Sequence, residues 1–142
     1  LEKGAGKLHF GYSQVTDDAD FITPWRAWPT QGYTRSMAQY NWEADTKSYM
    51  IGVFYDFGKA GIINGFRTAI DFTRIDYDDT KERLGGISKT DRHIIHVDLW
   101  YKLPFLPELE AKGRIGLVNA DTTTAGKDPS YDEFRLELNY LF

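Results

Sequence analysis

The sequence contains no cysteine, and that absence excludes disulfides, thiolate nucleophiles and cysteine-ligated zinc or iron–sulfur centres together. It accords with an oxidising compartment. No run of about 18 apolar residues occurs either, which excludes a membrane-spanning helix. Positive charge is not in excess: 17 Lys and Arg stand against 21 Asp and Glu, a net charge of −4 that offers no basic footprint for nucleic acid. Neither a methionine nor a signal peptide opens the chain at Leu1, so a processed chain or a part of a larger one is expected. Ser, His and Asp occur at no spacing that suggests a catalytic set, and Gly85-Gly86 lacks the context of a phosphate loop. The sequence therefore predicts no enzyme, no catalytic residue, no cofactor and no metal site. What it does contain is 42% hydrophobic, 15% aromatic and 27% charged residues at a mean hydropathy of −0.49. A strand in a membrane barrel meets lipid with only every second side chain, so a polar average is compatible with that class.

Alternation is the dominant pattern. At the C-terminus, Phe134, Leu136, Leu138, Tyr140 and Phe142 share one strand face, and Glu133, Arg135, Glu137 and Asn139 share the other. A half-buried strand of a soluble sandwich shows the same period. The ending differs, because soluble termini tend to fray and this one closes on an aromatic of the apolar face. In this it resembles outer-membrane barrels, whose terminal aromatic strand is the signal read by the insertion machinery. That resemblance implies an assembly role for Phe134, Leu136, Leu138, Tyr140 and Phe142.

Earlier in the chain, Leu8, Phe10 and Tyr12 alternate with His9, Gly11 and Ser13 in a first strand. A long polar and aromatic stretch, Thr16–Thr46, follows; a connection of this length is functional or disordered, and its Trp and Tyr content favours a packed one. Within it, 36–42 has the makings of a short strand. Tyr49, Ile51, Val53, Tyr55 and Phe57 form the next apolar face, opposite the partly apolar Met50, Gly52, Phe54 and Asp56. A turn over 58–65 leads to Phe66, Thr68, Ile70 and Phe72, opposed by Arg67, Ala69, Asp71 and Thr73. Residues 76–91 read as a second long loop. Ile95, Val97, Leu99, Tyr101 and Leu103 then alternate with His96, Asp98, Trp100 and Lys102 until Pro104 and Pro107, neither of which can donate to a ladder. Leu109, Ala111, Gly113 and Ile115 form the fifth strand, opposite Glu110, Lys112 and Arg114, and 119–130 is a polar loop before the last strand.

The connections thus run long, short, long, short, long, as the extracellular loops and periplasmic turns of a membrane barrel do. Parity places 36–42 inside the long loop and leaves about six spanning strands. Tyr55, Phe57, Phe66, Tyr101, Phe105, Tyr140 and Phe142 gather near the short turns, like an aromatic girdle.

The order of Asp45-Thr46-Lys47-Ser48-Tyr49, Tyr55-Asp56-Phe57, Gly61 and Gly65-Phe66, with Pro24-Trp25 before them and the aromatic strand at the end, resembles the C-terminal third of OprD-type porins of Gram-negative outer membranes. The resemblance spans most of the chain, through short motifs whose order is the distinctive part. It implies a barrel of about eighteen strands that passes small solutes such as amino acids, peptides or carboxylates along basic lumen residues. About six strands cannot close alone, since the smallest membrane barrels have about eight; the remaining strands and the constriction loop are expected upstream of Leu1.

Candidate chemistry is sparse. His93 and His96 lie near Asp91 and Asp98, but on a strand they point to opposite faces, which argues against a shared site. The acidic segments Asp17-Asp18-Ala19-Asp20 and Asp76-Tyr77-Asp78-Asp79 suit calcium or lipopolysaccharide contact, against the ordinary reading of solvated loop charge. The polar strand face supplies the pore-lining candidates Arg67, Asp71, His96, Asp98, Lys102, Lys112, Arg114, Arg135 and Glu137, although cross-strand ion pairing accounts for part of that pattern.

The expected fold is therefore all-β, an antiparallel meander of about six transmembrane strands that is open by itself and part of a larger outer-membrane barrel, with residues 1–142 as its C-terminal part and 16–46 as an extracellular loop. The expected function is a passive channel in the cell outer membrane. Its partners would be outer-membrane lipid and lipopolysaccharide, the barrel-insertion machinery and small hydrophilic solutes, with no nucleic acid. An outer-membrane barrel hydrolase (protease or lipase) and a soluble β-barrel ligand binder are the alternatives.

Overall fold

The structure is a computed structural model that describes residues 2–18, 34, 43–78, 90–122, 126 and 128–140. The expected strand at 36–42, the Pro24-Trp25 pair, Gly85-Gly86 and the terminal Phe142 lie outside the described residues.

Seven strands form one antiparallel sheet in sequence order: β1 (Glu2–Lys3), β2 (Gly6–Val15), β3 (Thr46–Asp56), β4 (Phe66–Tyr77), β5 (Arg92–Leu103), β6 (Leu106–Ala120) and β7 (Tyr131–Tyr140). Six are long, and β1 is a two-residue ladder on the outer side of β2. Among the described residues there is no helix, and each strand pairs only with its neighbours in sequence, so the sheet is open between β1 and β7.

The antiparallel register carries the alternation of each strand onto the next. One row reads Leu8, Val53, Ile70, Val97, Ile115, Phe134, and the row beside it Phe10, Ile51, Phe72, Ile95, Leu117. The apolar halves of six strands thereby fuse into one continuous face. A single-residue slip anywhere would interrupt it, which is why the pattern specifies the register so strongly. Short connections gather at one end, at Gly4–Ala5, 57–65 and Pro104–Phe105, and the long ones leave from the other. There the backbone N–H of Asp45 donates to the Thr16 carbonyl at 3.0 Å, closing the first long connection at its base, and that of Asp121 donates to the Asp91 carbonyl at 2.9 Å, prolonging the β5–β6 ladder beyond Arg92 and Ala120.

The Tyr55-Asp56-Phe57 turn has a physical reading. Tyr55 and Phe57 meet edge to face with centroids 4.8 Å apart, Phe57 stacks on toward Phe66 at 5.1 Å, and the Asp56 carboxylate accepts the Lys59 backbone N–H at 2.9 Å. Gly65 ends the turn at φ 77°, and a Cβ there would lie 2.9 Å from the Lys102 carbonyl oxygen, so both conformation and space require glycine.

Several expected boundaries are corrected. β4 continues through Asp76 and Tyr77, which the sequence assigns to a loop, and β6 runs through Ala120, past the expected loop start at Asn119. β3 begins at Thr46, inside the expected loop, and β2 extends beyond 8–13 at both ends. Pro107 does not stop a strand but sits second in β6, where the pairing shifts register next to Lys102 and Leu103 and a ladder donor is dispensable. The cause at the long-loop end is a change of phase. On β4 the apolar face gives way to Arg74 and Asp76, while Ile75 and Tyr77 turn to the other face and pack with Ile94 and Val118 in a buried cluster. Alternation persists with its sense reversed, and a reading keyed to one apolar face stops at the reversal.

Candidate functional site

Burial separates the two faces in the opposite sense to a soluble sheet. On the apolar face Phe10 is 70% exposed, Leu136 76% and Ile70 52%, whereas on the polar face Ser48 and Thr73 are fully buried and Asp98 is 9% exposed. Nothing among the described residues covers the apolar side as a second layer. All nine pore-lining candidates occupy the sheltered polar face by register: Arg67 and Asp71 on β4, His96, Asp98 and Lys102 on β5, Lys112 and Arg114 on β6, Arg135 and Glu137 on β7. His93 falls on the apolar face against Phe72, so it shares no site with His96. Of the expected assembly residues, Phe134, Leu136, Leu138 and Tyr140 line the apolar face of β7 and are exposed.

The polar-face charges form a band across the strands. His9 Nε2 on β2 lies 3.1 Å from Asp71 Oδ1 on β4, and His96 Nδ1 on β5 lies 4.0 Å from the other Asp71 oxygen. His96 Nε2 is 3.2 Å from Asp98 Oδ1, which accepts a hydrogen bond from Arg114 Nε at 2.8 Å, with Lys112 Nζ 3.9 Å from Oδ2. Arg114 reaches on to Glu137 on β7 at 3.5 Å. Arg67 pairs with Glu110 and Arg135 with Glu133. The Trp100 ring lies between Arg67 and Lys112, whose charged groups are 5.8 and 5.2 Å from its centroid, and Phe54 leans toward it at 6.3 Å. That contact explains why an aromatic occupies the otherwise polar side of β3. Carboxylates lie among the cations of the band, Asp98 between His96 and Arg114 and Glu137 beyond Arg114, so these charges are held near counter-charges.

Two members of the polar face were not singled out from sequence. His9 joins the band only because Gly52, its register partner on β3, has no side chain, and no periodicity reports a contact that skips a strand. Thr34 lies deep in the long loop, yet it is fully buried on this face, where its hydroxyl bonds Ser13 Oγ at 2.7 Å and Ser48 Oγ at 2.5 Å. The Lys47-Ser48-Tyr49 motif thus divides its work: Ser48 holds a point of the long loop, and Tyr49 packs on Tyr12 at 5.1 Å on the apolar face.

Gly52 yields a direct test. A Cβ there would lie 1.9 Å from Asp71 Oδ1 and 2.4 Å from His9 Cε1, so Gly52→Ala is expected to force the pair apart and cost about 1–3 kcal/mol. Gly113→Ala, whose Cβ would meet only the Leu99 Cβ at 4.0 Å, is expected to stay within about 0.5 kcal/mol of the parent. Denaturant unfolding midpoints of the two variants check the difference. Equal midpoints would mean that the His9 and Asp71 side chains rotate away without cost.

Comparison with known proteins gives no match: no family model fits the chain, no curated protein is detectably similar to it, and no solved structure matches its fold.

Proposed function

We propose that this sheet is a segment of a transmembrane β-barrel of the cell outer membrane, and that its polar face lines a passive channel for small hydrophilic solutes, as in the OprD-type porins that its motifs resemble. The observation that carries the reading is the inversion of the faces: large apolar side chains stand exposed across six strands, while the charges crowd the sheltered side. In water such a face would be an aggregation hazard; in lipid it is the required exterior. From Phe66 to Phe72 on β4 and from Leu109 to Leu117 on β6 it extends about 20–26 Å along the strands at roughly 3.3 Å per residue, which at a strand tilt of about 40° spans roughly 15–20 Å of height, the greater part of the roughly 25 Å apolar band of such barrels. Phe57, Phe66 and Tyr101 ring its short-turn end, and Tyr12 and Tyr49 its other end. Lipid tolerates no open sheet edge, so β1 and β7 must pair with further strands in the assembled barrel.

The channel reading is tested on the full-length protein in a planar bilayer. Replacing Lys102, Lys112 and Arg135 together by Gln, and leaving Arg114 on Asp98, removes three cations from the proposed wall while Glu110, Glu133 and Glu137 remain. The reversal potential in a salt gradient is expected to move toward cation selectivity, and carboxylate uptake to slow. Unchanged selectivity with normal conductance would remove these side chains from the pathway, and a protein without conductance steps would defeat the proposal.

A further inference from the structure

On the apolar face the row Phe72, Ile95, Leu117 ends on β7 at a carboxylate, Asp132, which stands opposite Leu117 and one alternation from Phe134. The next row toward the long-loop end is polar, with His93 beside Asn119. Between the two rows the face is hollowed into an open groove of about 640 Å³, a size that suits a small ligand. Phe72, Ile95 and Leu117 line its apolar end, and His93, Asn119 and Asp132 its polar end. Among the described residues, neither the Asp132 carboxylate nor the Asn119 amide makes a hydrogen bond or an ion pair, and no Lys or Arg lines the groove. Arg74, beside His93 in its row, is turned to Asp91 at 3.5 Å. A carboxylate on a lipid-facing strand is costly unless something donates to it. The groove has the polarity of a lipid leaflet: hydrocarbon toward the middle of the sheet, hydrogen-bonding groups toward its rim.

We propose that this groove seats one glycolipid, whose uncharged, hydroxyl-rich head bonds Asp132 and Asn119 and whose hydrocarbon chain runs over Leu117 and Ile115 beside Phe134. The site rests on the membrane reading of the apolar face. Its hydrogen-bonding groups select the head. A carboxylate only accepts, so the ligand must donate to Asp132; an amide both donates and accepts, so the ligand must do both at Asn119. Hydroxyls do both, whereas an ammonium only donates. An anionic phosphate head would meet Asp132 with no cation in the groove. Two residues farther along β5 and β6 it would meet Asp91 and Asp121, which line an acidic hollow together with Asp76. Asn119 and Asp132 stand diagonally on adjacent strands, about 7–8 Å apart in the backbone, a gap that one sugar ring bridges through two of its hydroxyls. Sequence alternation alone could not report this site, because Asp132 reads there as the polar start of a strand.

Dodecyl maltoside is the probe, since it joins an uncharged sugar head to a single hydrocarbon chain. Full-length protein is folded in micelles of a polyoxyethylene detergent, which carries no sugar, and titrated with dodecyl maltoside; the molecules it retains are counted by native mass spectrometry. The parent is expected to retain a maltoside that Asp132→Ala and Asn119→Ala each bind about tenfold more weakly. Gln14→Ala, on the same face but outside the groove, should leave retention unchanged. Dodecylphosphocholine, with the same chain and a phosphate head, should show no retention that depends on Asp132. Folding is read from heat-modifiable mobility, which Asp132→Ala should keep because it makes the face more apolar. A parent that folds in no detergent defeats the membrane reading and the site with it. A folded barrel that holds maltoside equally in the parent, Asp132→Ala and Asn119→Ala overturns the site alone, as does dodecylphosphocholine held equally well through the same two residues. A lowered unfolding midpoint in Asp132→Ala with retention intact gives the carboxylate to a counter-charge on the strand beyond β7, and overturns it too.

Discussion

If the apolar face meets lipid as proposed, Ile70→Arg is expected to weaken folding into the membrane by about tenfold to thousandfold, whereas Gln14→Arg on the same face is expected to be nearly silent. Ile70 lies in the middle row of the apolar face, between Val53 and Val97, and is 52% exposed in the sheet. If that face meets lipid, an arginine there costs about 2–4 kcal/mol, and the penalty falls to about 0–1 kcal/mol near the interfaces. Gln14 stands at the long-loop rim beside Lys47, where the same face has already turned polar, and its own loss is one exposed hydrogen bond from the Tyr12 hydroxyl at 2.8 Å. At about 1.4 kcal/mol per factor of ten, the difference between the two sites amounts to roughly a tenfold to thousandfold change in the folding equilibrium constant. Reversible unfolding in lipid vesicles, or the yield of heat-modifiable barrel in the membrane fraction, reads it. A soluble sheet predicts otherwise: an exposed Ile→Arg change stays within about 0.5 kcal/mol of the parent at either position. Two equally mild variants would therefore defeat the membrane reading and favour a soluble ligand-binding sheet, although such a protein would first have to cover its apolar face.

The apolar face was legible in the sequence because strand geometry writes it there directly: Tyr49 to Phe57, Phe66 to Phe72 and Phe134 to Tyr140 need only a period of two. Register followed from the same pattern, since a slip at any ladder would turn an apolar row against a polar one. The strand ends were less legible. At Arg74-Ile75-Asp76-Tyr77 the alternation changes phase, and side chains that look like a charged loop are a strand with its apolar residues turned to the sheltered face. Pro107 misled in the other direction, because a proline at the second residue of a strand, beside a register shift, withholds a donor the ladder does not use. The polar band was legible as a set of residues but not as a circuit. Arg114 to Asp98 follows from facing positions on adjacent strands, while His9 to Asp71 depends on an empty position on the strand between them. Thr34 carries no sequence signal, since one threonine in a long polar stretch resembles any other, and only the hydroxyl cluster with Ser13 and Ser48 distinguishes it.

Arg114→Gln is expected to be among the more destabilising polar substitutions in the chain, and Asp98→Asn in the same protein should restore most of the loss. Asp98 sits near the centre of the band, its side chain 12% exposed, and its closest hydrogen bond comes from Arg114 Nε at 2.8 Å. Removing one partner of a buried ion pair leaves the other charge without compensation, and such truncations cost about 3–5 kcal/mol when burial is complete. Here water reaches 22% of the Arg114 side chain, and His96 and Lys112 remain at 3.2 and 3.9 Å from Asp98, so a value nearer 2 kcal/mol is expected. The double variant keeps an amide on each strand and removes both charges of the pair, while Lys112, which loses Asp98, still faces Glu137 across the register, so its midpoint of unfolding should return to within about 1 kcal/mol of the parent. Glu137, which loses its 3.5 Å contact with Arg114 in both variants, is 38% exposed and solvated, and it adds little to either. A double-mutant cycle measured in one detergent at one ionic strength gives the coupling directly. Additive losses at the two positions would mean that Asp98 is already satisfied by His96 and Lys112, and that Arg114 serves the open space above the sheet rather than the sheet itself.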